Sequence, residues 1–470
     1  MNPDDDDVFH VLEDGVIFCK LINCAVPDTI DMRVVNKGAN INIYKVRENL
    51  NLACAACTGI GIKMIGIDAN AFLDKKEHLI LAVLWQLMKL ISTKSVSLKD
   101  CPEIYRLLNE GEELSELNKL QPDQLLIRWM NFHLKNAGSE PINNLGKDLA
   151  DGKAVIKVLN QLDERCTTEA LNEEDDVTRC NKAVDNSKII EVADVICGED
   201  LNKGNSKVNV IFVGEMFNAK HGLQELSKEE YEAATLVDDD IEGTIEERQF
   251  RLWINSLGIE DVYVNDLFAE ASDGLLLLKV IHKINPDVVE WNRVEKNPNS
   301  VFKRGINCQV AIDACKKMNI VLAGIGAEDI RDSNKKLILA IVWQLVRIHY
   351  LQIIGSKTEN DLVKWANDLV KDPQIGNLKD KSMKDGRFLI KLCAGIEPRA
   401  VNWELVTPGE TEEDAMMNAK YAISVARMLG AVIFMVWDDI PKVNYKMILI
   451  FVSSLYEIQE EMAQKKKEEA

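Results

Sequence analysis

Residues 14–22 read DGVIFCKLI, and the phrase returns as DGKAVIKVL at 151–159, DGLLLLKVI at 273–281 and DGRFLIKLC at 385–393. Four residues past each Asp stands an apolar side chain (Phe18, Val155, Leu277, Leu389), and six past it a lysine (Lys20, Lys157, Lys279, Lys391). Two more apolar residues follow the lysine. Apolar side chains at the fourth, seventh and eighth positions share one helical face, and Asp is a strong N-cap. Each phrase therefore predicts an amphipathic helix capped by its Asp. The copies recur at roughly 110 to 135 residues, the size of a small domain and too long for a solenoid unit.

Beyond each phrase, an Asn (Asn51, Asn186, Asn307, Asn418) opens a second, Ala-rich helical stretch. Upstream, Trp129, Trp253 and Trp365 lie in helical phrases that precede copies two, three and four, and are expected in the core. Copy one has only thirteen residues before Asp14, so it is expected to lack its opening helix and to leave some of Leu79, Leu81, Val83, Leu84 and Leu87 uncovered. Copies one and three both close with a Trp-Gln-Leu helix, KEHLILAVLWQLMKL at 76–90 and KKLILAIVWQLVRIHY at 335–350, whose Trp85 and Trp343 are also expected in the core. This likeness makes the arrangement a pair of pairs. The expected boundaries are 1–95 for repeat one, 96–120 for a linker, 121–226 for repeat two and 227–245 for an acidic hinge. Repeat three then takes 246–354, repeat four 355–460, and 461–470 form a charged tail. Strand signals are weak, so the expected class is all-α.

At 470 residues with 47% hydrophobic content, the chain has material for about four cores. A formal charge of −20, without a sustained basic stripe, argues against a nucleic-acid partner. Eleven cysteines with no signal peptide suggest free thiols and a cytoplasmic location. No apolar run reads as long enough to span a bilayer.

Candidate chemistry is sparse. Cys54 and Cys57 have redox spacing but sit in the Ala-rich helix with no strand before them, which favours packing. The six histidines show no metal-ligand spacing, so neither metal nor cofactor is expected. Asp238, Asp240, Glu242, Gly243 and Glu246 resemble the start of a calcium loop, but the twelfth position is Gln249, which cannot supply the bidentate carboxylate. Gly59 and Gly61, with Gly324 and Gly326, read as equivalent turns. Nothing resembles a catalytic constellation, so no enzyme is expected.

The Trp helix, Asp-Gly helix, Asn/Ala-rich helix and closing helix resemble the calponin homology (CH) domain. Four of them in tandem, with VPDTID at 26–31, RENLNLA at 47–53, LLNEGEELSEL at 107–117, RWMNFHLKNAG at 128–138, FRLWINSLG at 250–258, ILAIVWQL at 338–345 and NAKYAISVAR at 418–427, resemble the core of the fimbrin (plastin) family. The resemblance implies a monomeric protein of the actin cytoskeleton in which each pair binds one filament and two pairs bundle filaments. It also implies contact through 74–94 and 124–134 in the first pair, and through 246–257, 334–350 and 360–369 in the second. The residues this carries over are Lys75, Lys76, Lys89, Gln124, Arg128, Arg248, Arg251, Lys335, Lys336, Gln344, Arg347 and Lys364. Lys303, Arg304, Lys316 and Lys317 add charge to repeat three. A CH scaffold for microtubules or signalling proteins is the alternative, as is a side-binder that does not bundle because its first pair is incomplete.

Overall fold

The computed structural model describes residues 7–38, 41–112, 114–117, 120–235, 241–322, 324–355 and 358–468. It is helical, with no strand among the described residues. Repeat two consists of an opening helix Pro122–Asn136, an Asp-Gly helix Lys153–Leu162, a third helix Asp176–Ser187 and a closing helix Ser206–Ala219. The same order gives Ile241–Ser256, Leu275–Ile284, Val301–Lys317 and Lys335–Ile353 in repeat three. In repeat four it gives Glu359–Val370, Arg387–Ile396, Glu412–Met428 and Tyr445–Glu468. Repeat one has the last three, Val16–Ala25, Ile43–Ile60 and Glu77–Ser92, preceded by a short helix Asp7–Leu12.

The Asp-Gly helices begin one residue later than expected. The N-cap is the glycine, held at φ 75°, 72°, 79° and 73° in Gly15, Gly152, Gly274 and Gly386, a region open to glycine at little cost. The preceding Asp still caps, because its Oδ1 accepts the amide of the residue after the glycine: Val16 at 2.9 Å, Lys153 at 3.0 Å, Leu275 at 2.8 Å and Arg387 at 2.9 Å. Glycine is also needed because the third helix presses against it; a Cβ on Gly274 would lie 2.7 Å from the Asn307 carbonyl carbon.

The third-helix residue at this point is Asn49 in repeat one, not Asn51, and Arg179 in repeat two, not Asn186, although Gly152 itself faces the next residue, Cys180. Buried Asn49 and Asn418 donate Nδ2 to the carbonyls of Asp14 (2.8 Å) and Asp385 (2.9 Å). Their Oδ1 atoms accept from the Asn36 and Thr407 amides at 2.8 Å and 2.9 Å, fixing the loop between the two helices. Asn307 ties the Glu295 amide and carbonyl in the same way, and Arg179 Nε reaches the Asp151 carbonyl at 3.1 Å.

Gly59 lies inside the third helix of repeat one and only Gly61 ends it, at φ 96°. The corresponding end in repeat three is Asn319, so the two Gly-Ile-Gly strings are not equivalent turns. Asp238 and Asp240 of the calcium-like string lie outside the described residues, while Glu242 and Gly243 begin the opening helix of repeat three. The expected hinge contains a helix, Lys228–Thr235, whose Glu230 pairs with Arg106 at 2.6 Å. Helix Lys335–Ile353 is long and apolar enough to cross a membrane, contrary to expectation, but it buries Ile338, Val342, Leu345 and Val346 as the central helix of repeat three.

Compactness does not follow the pair of pairs. One compact unit holds residues 1–84 with 242–470, and the other holds 85–241, so helix Glu77–Ser92 contributes to both. In the first unit, repeat one lies on repeat four. Arg33 donates to the Leu405 and Met417 carbonyls (3.3 and 3.0 Å), Arg427 to the Thr29 carbonyl (2.7 Å), and the Asp31 amide to Ser424 Oγ (2.8 Å). Tyr263 of repeat three adds a bond to the Gly61 carbonyl at 2.9 Å.

Candidate functional site

Trp129 and Trp253 are fully buried, and Trp343 is buried against Phe250 of the opening helix, with ring centroids 6.4 Å apart. Trp365 and Trp85 depart from the expected core. Both are half-buried, and their indole N–H groups reach Gln459 Oε1 at 2.6 Å and the Lys207 carbonyl at 2.8 Å. Among its described residues, repeat one has no counterpart of Phe250 to cover Trp85. Of the side chains expected to lose cover, Leu81 is 50% exposed, Leu79 and Leu84 are half-buried, and Val83 and Leu87 are buried.

Trp85 and Trp343 mark the same junction in each pair. One turn on, Lys89 pairs with Asp123 at 2.8 Å and Arg347 with Glu359 at 2.7 Å. Asp123 and Glu359 both stand six residues before the Trp of the following opening helix. The second residue of each even closing helix, Lys207 or Lys446, then lies 5.4 or 5.5 Å from the indole centroid, within cation–π range. In the second pair Lys446 also pairs with Glu246, Tyr445 OH donates to Glu359 at 2.8 Å, and Gln249 bonds buried Asp439 at 2.8 Å. Burial raises the Asp439 carboxyl pKa, against the hydrogen bonds from Asn444, Val436 and Gln249. Lys89 and Arg347 thus hold repeats together and are not free surface cations.

Other expected contact residues are also occupied. Lys75 pairs with Glu13 (3.3 Å), Lys76 with Asp74 (3.6 Å), Arg128 with Glu112 (2.6 Å) and Arg251 with Glu247 (3.0 Å). Gln124 closes a capping box by accepting the Gln121 amide at 3.1 Å. Arg248 lines a cavity beside Arg427, and Gln344 is half-buried. Lys335, Lys336 and Lys364 are exposed, with no ion pair among the described residues; Lys335 lies 5.7 Å from the Phe268 ring centroid.

A second feature is not apparent from the sequence. At the start of the third helix, repeats one and three expose Ile43 and Tyr44 (76%) and Val301 and Phe302 (78%), each followed by a lysine. Counting from Asn49, Arg179, Asn307 and Asn418, the matching positions in the even repeats are Glu173-Glu174 and Glu412-Glu413. Without the correct Asn and Arg register, this alternation could not be aligned.

Burial holds the Cys54 thiol up at about 12 and also raises Cys57 well above its ordinary value, so neither is an activated thiol. Cys101, Glu103 and His221 bring one potential metal-ligand atom each within 4.8 Å of one another, although His221 is far from the other two in sequence. Burial and the Glu103 hydrogen bond push the Cys101 thiol up to about 12, and His221 Nδ1 already accepts the Leu223 amide.

A family model described as the calponin homology (CH) domain matches residues 2–93, 120–222, 244–351 and 356–461. The chain is 36% identical to Fimbrin-3 of Arabidopsis thaliana over 97% of its own length and 66% of that protein's. It is 37% identical to fimbrin of Schizosaccharomyces pombe and 35% to Plastin-3 of Homo sapiens, again over 97% of this chain and over 77% and 75% of theirs. The crystal structure of the actin-crosslinking core of Schizosaccharomyces pombe fimbrin superimposes with a TM-score of 0.84 at 34% identity, covering 97% of this chain and 93% of that one.

Proposed function

Since the chain belongs to the calponin homology family in its four-domain fimbrin form, we propose that it binds actin filaments and cross-links them, each pair of repeats holding one filament. Similarity to a protein whose core cross-links actin supports this reading. The structural observation that carries it is the alternation between repeats. An exposed aromatic beside lysine marks repeats one and three, while two glutamates occupy the same place in repeats two and four. Actin is acidic, so a chain of charge −20 must meet it through local cationic and apolar patches. Tyr44 on repeat one and Phe302 on repeat three supply the apolar part, and the exposed Lys335, Lys336 and Lys364 the cationic part; Lys75, Lys76 and Arg128 would take part by exchanging their present ion pairs for actin carboxylates, and Gln124 by leaving its capping box. Such a protein acts as a single chain in the cytoplasmic actin cytoskeleton and needs no catalytic step.

Co-sedimentation tests the reading: high-speed pelleting reports binding and low-speed pelleting reports bundling. Phe302→Ser with Lys335→Ala and Lys336→Ala should weaken binding by about tenfold or more and flatten its salt dependence, because exposed cations are screened beyond roughly 8 Å at physiological ionic strength. Tyr44→Ser should reduce bundling more than binding. Pelleting with tubulin but not actin, or unchanged pelleting in all these variants, would overturn the proposal.

A further inference from the structure

A cavity of about 350 Å³ opens where repeats one, three and four meet inside the first compact unit. Its charged lining consists of Arg248, Lys420, Arg427 and Asp28, an excess of two positive charges in a strongly acidic chain. Lys420 pairs with Asp28 at 2.9 Å, leaving the two arginines without a carboxylate partner among the ion pairs of the described residues. Arg427 is only 4% exposed. Its Nη1 and Nη2 donate to the carbonyls of Thr29 (2.7 Å) and Ile433 (2.8 Å), while its buried Nε has no hydrogen-bond partner. The guanidinium lies over Gly59, where a Cβ would come within 2.7 Å of Nη2.

A buried guanidinium bonded only to carbonyls, with an orphan N–H and a second arginine near enough to repel it, lacks a counter-charge. Burial pulls Arg427 down to about 10, with Arg248 acting in the same direction, so it stays cationic at neutral pH. Arg248, Arg427 and Lys420 line one cavity, a set of cationic donors of the kind that binds oxyanions, and two excess positive charges match a phosphate dianion better than a carboxylate. Ile60, Leu252, Phe434 and Trp437 line the rest and would accept a small organic body.

We propose that this cavity binds a small phosphate-bearing anion, which bridges repeats one, three and four by supplying the charge that Arg427 and Arg248 lack. The site is separate from the exposed aromatic patches and does not depend on filament binding.

The test is calorimetric titration of the full 470-residue chain, without actin, at constant ionic strength. The probes are sodium phosphate, glycerol 3-phosphate and vesicles of phosphatidylcholine containing phosphatidylinositol 4,5-bisphosphate; sodium chloride is the control. The expected result is saturable binding of one soluble phosphate per chain, with the unfolding midpoint raised by about 3 °C near saturation. Arg248→Gln and Lys420→Gln, which spare the buried arginine, should each weaken binding by about tenfold. Arg427→Met should abolish it; because that variant can also disturb folding, the proposal stands or falls on the other two. No saturable binding of either soluble phosphate, binding to vesicles alone, or equal affinity in an Arg248→Gln/Lys420→Gln double variant would overturn the proposal.

Discussion

At the scale of single residues, the repeat is held by an interlock of Asp, Gly and Asn. Asp caps the helix, Gly lets the next helix approach, and Asn ties the loop between them. Asn49 satisfies the Asp14 and Asn36 carbonyls and the Asn36 amide, and is itself fully buried. Removing one side of a buried hydrogen bond leaves the partner unsatisfied, at about 1–3 kcal/mol. Asn49→Ala is therefore expected to destabilise repeat one by about 2 kcal/mol, whereas Asn51→Ala should stay within about 0.5 kcal/mol. Native-state hydrogen exchange across helix Ile43–Ile60 would distinguish them. Equal effects would mean that the loop does not depend on Asn49.

At the scale of elements, the closing helix joins each opening helix through polar contacts as well as packing. In repeat three, Trp253 Nε1 donates to His349 Nδ1 at 3.3 Å, so that nitrogen must be unprotonated. Burial lowers the His349 pKa below its ordinary 6.5, and the charge on Lys283 adds to the effect. His133 in repeat two is lowered by burial too, against the hydrogen bond from its ring to the His221 carbonyl at 3.0 Å. With the folded pKa below the unfolded one, the unfolded chain takes up protons first. The stability these groups contribute is complete above about pH 6.5 and is lost as pH falls through that value towards the folded pKa. Replacing His349 by Gln should flatten this acid slope in repeat three, measured as exchange rates of helix Lys335–Ile353 corrected for intrinsic pH dependence. An unchanged slope would assign the sensitivity elsewhere.

At the scale of the molecule, repeat one compensates for its thin cover by leaning on repeat four. Arg33, locked by Asp31 at its own base, donates to two carbonyls of repeat four, and Arg427 returns a bond to Thr29. Arg33→Ala removes both of these bonds to repeat four and should speed exchange across residues 26–36 by about tenfold, with little change in repeat two. Equal acceleration everywhere would mean that the chain opens as one cooperative unit. Repeat one is expected to exchange fastest of the four, given Leu81 and Met88 at 50% and 43% exposure on its closing helix.

Local and periodic features are legible in the amino-acid chain before it is folded. Four Asp-Gly phrases, their apolar spacing and the recurring tryptophans specify helical repeats, because caps and amphipathic faces are properties of neighbours along the chain. The same chain leaves open which Asn closes the interlock, since Asn49 and Asn51 differ only in the direction their side chains take from one helix. Nor does it show that Lys89 and Arg347 are consumed by Asp123 and Glu359 of the following repeat, because a charge is free or paired only once distant segments have met. The exposed Tyr44 and Phe302, and the uncompensated Arg427, belong to the same class. Burial and partnership are set by three-dimensional packing, which brings together residues that no spacing along the chain connects.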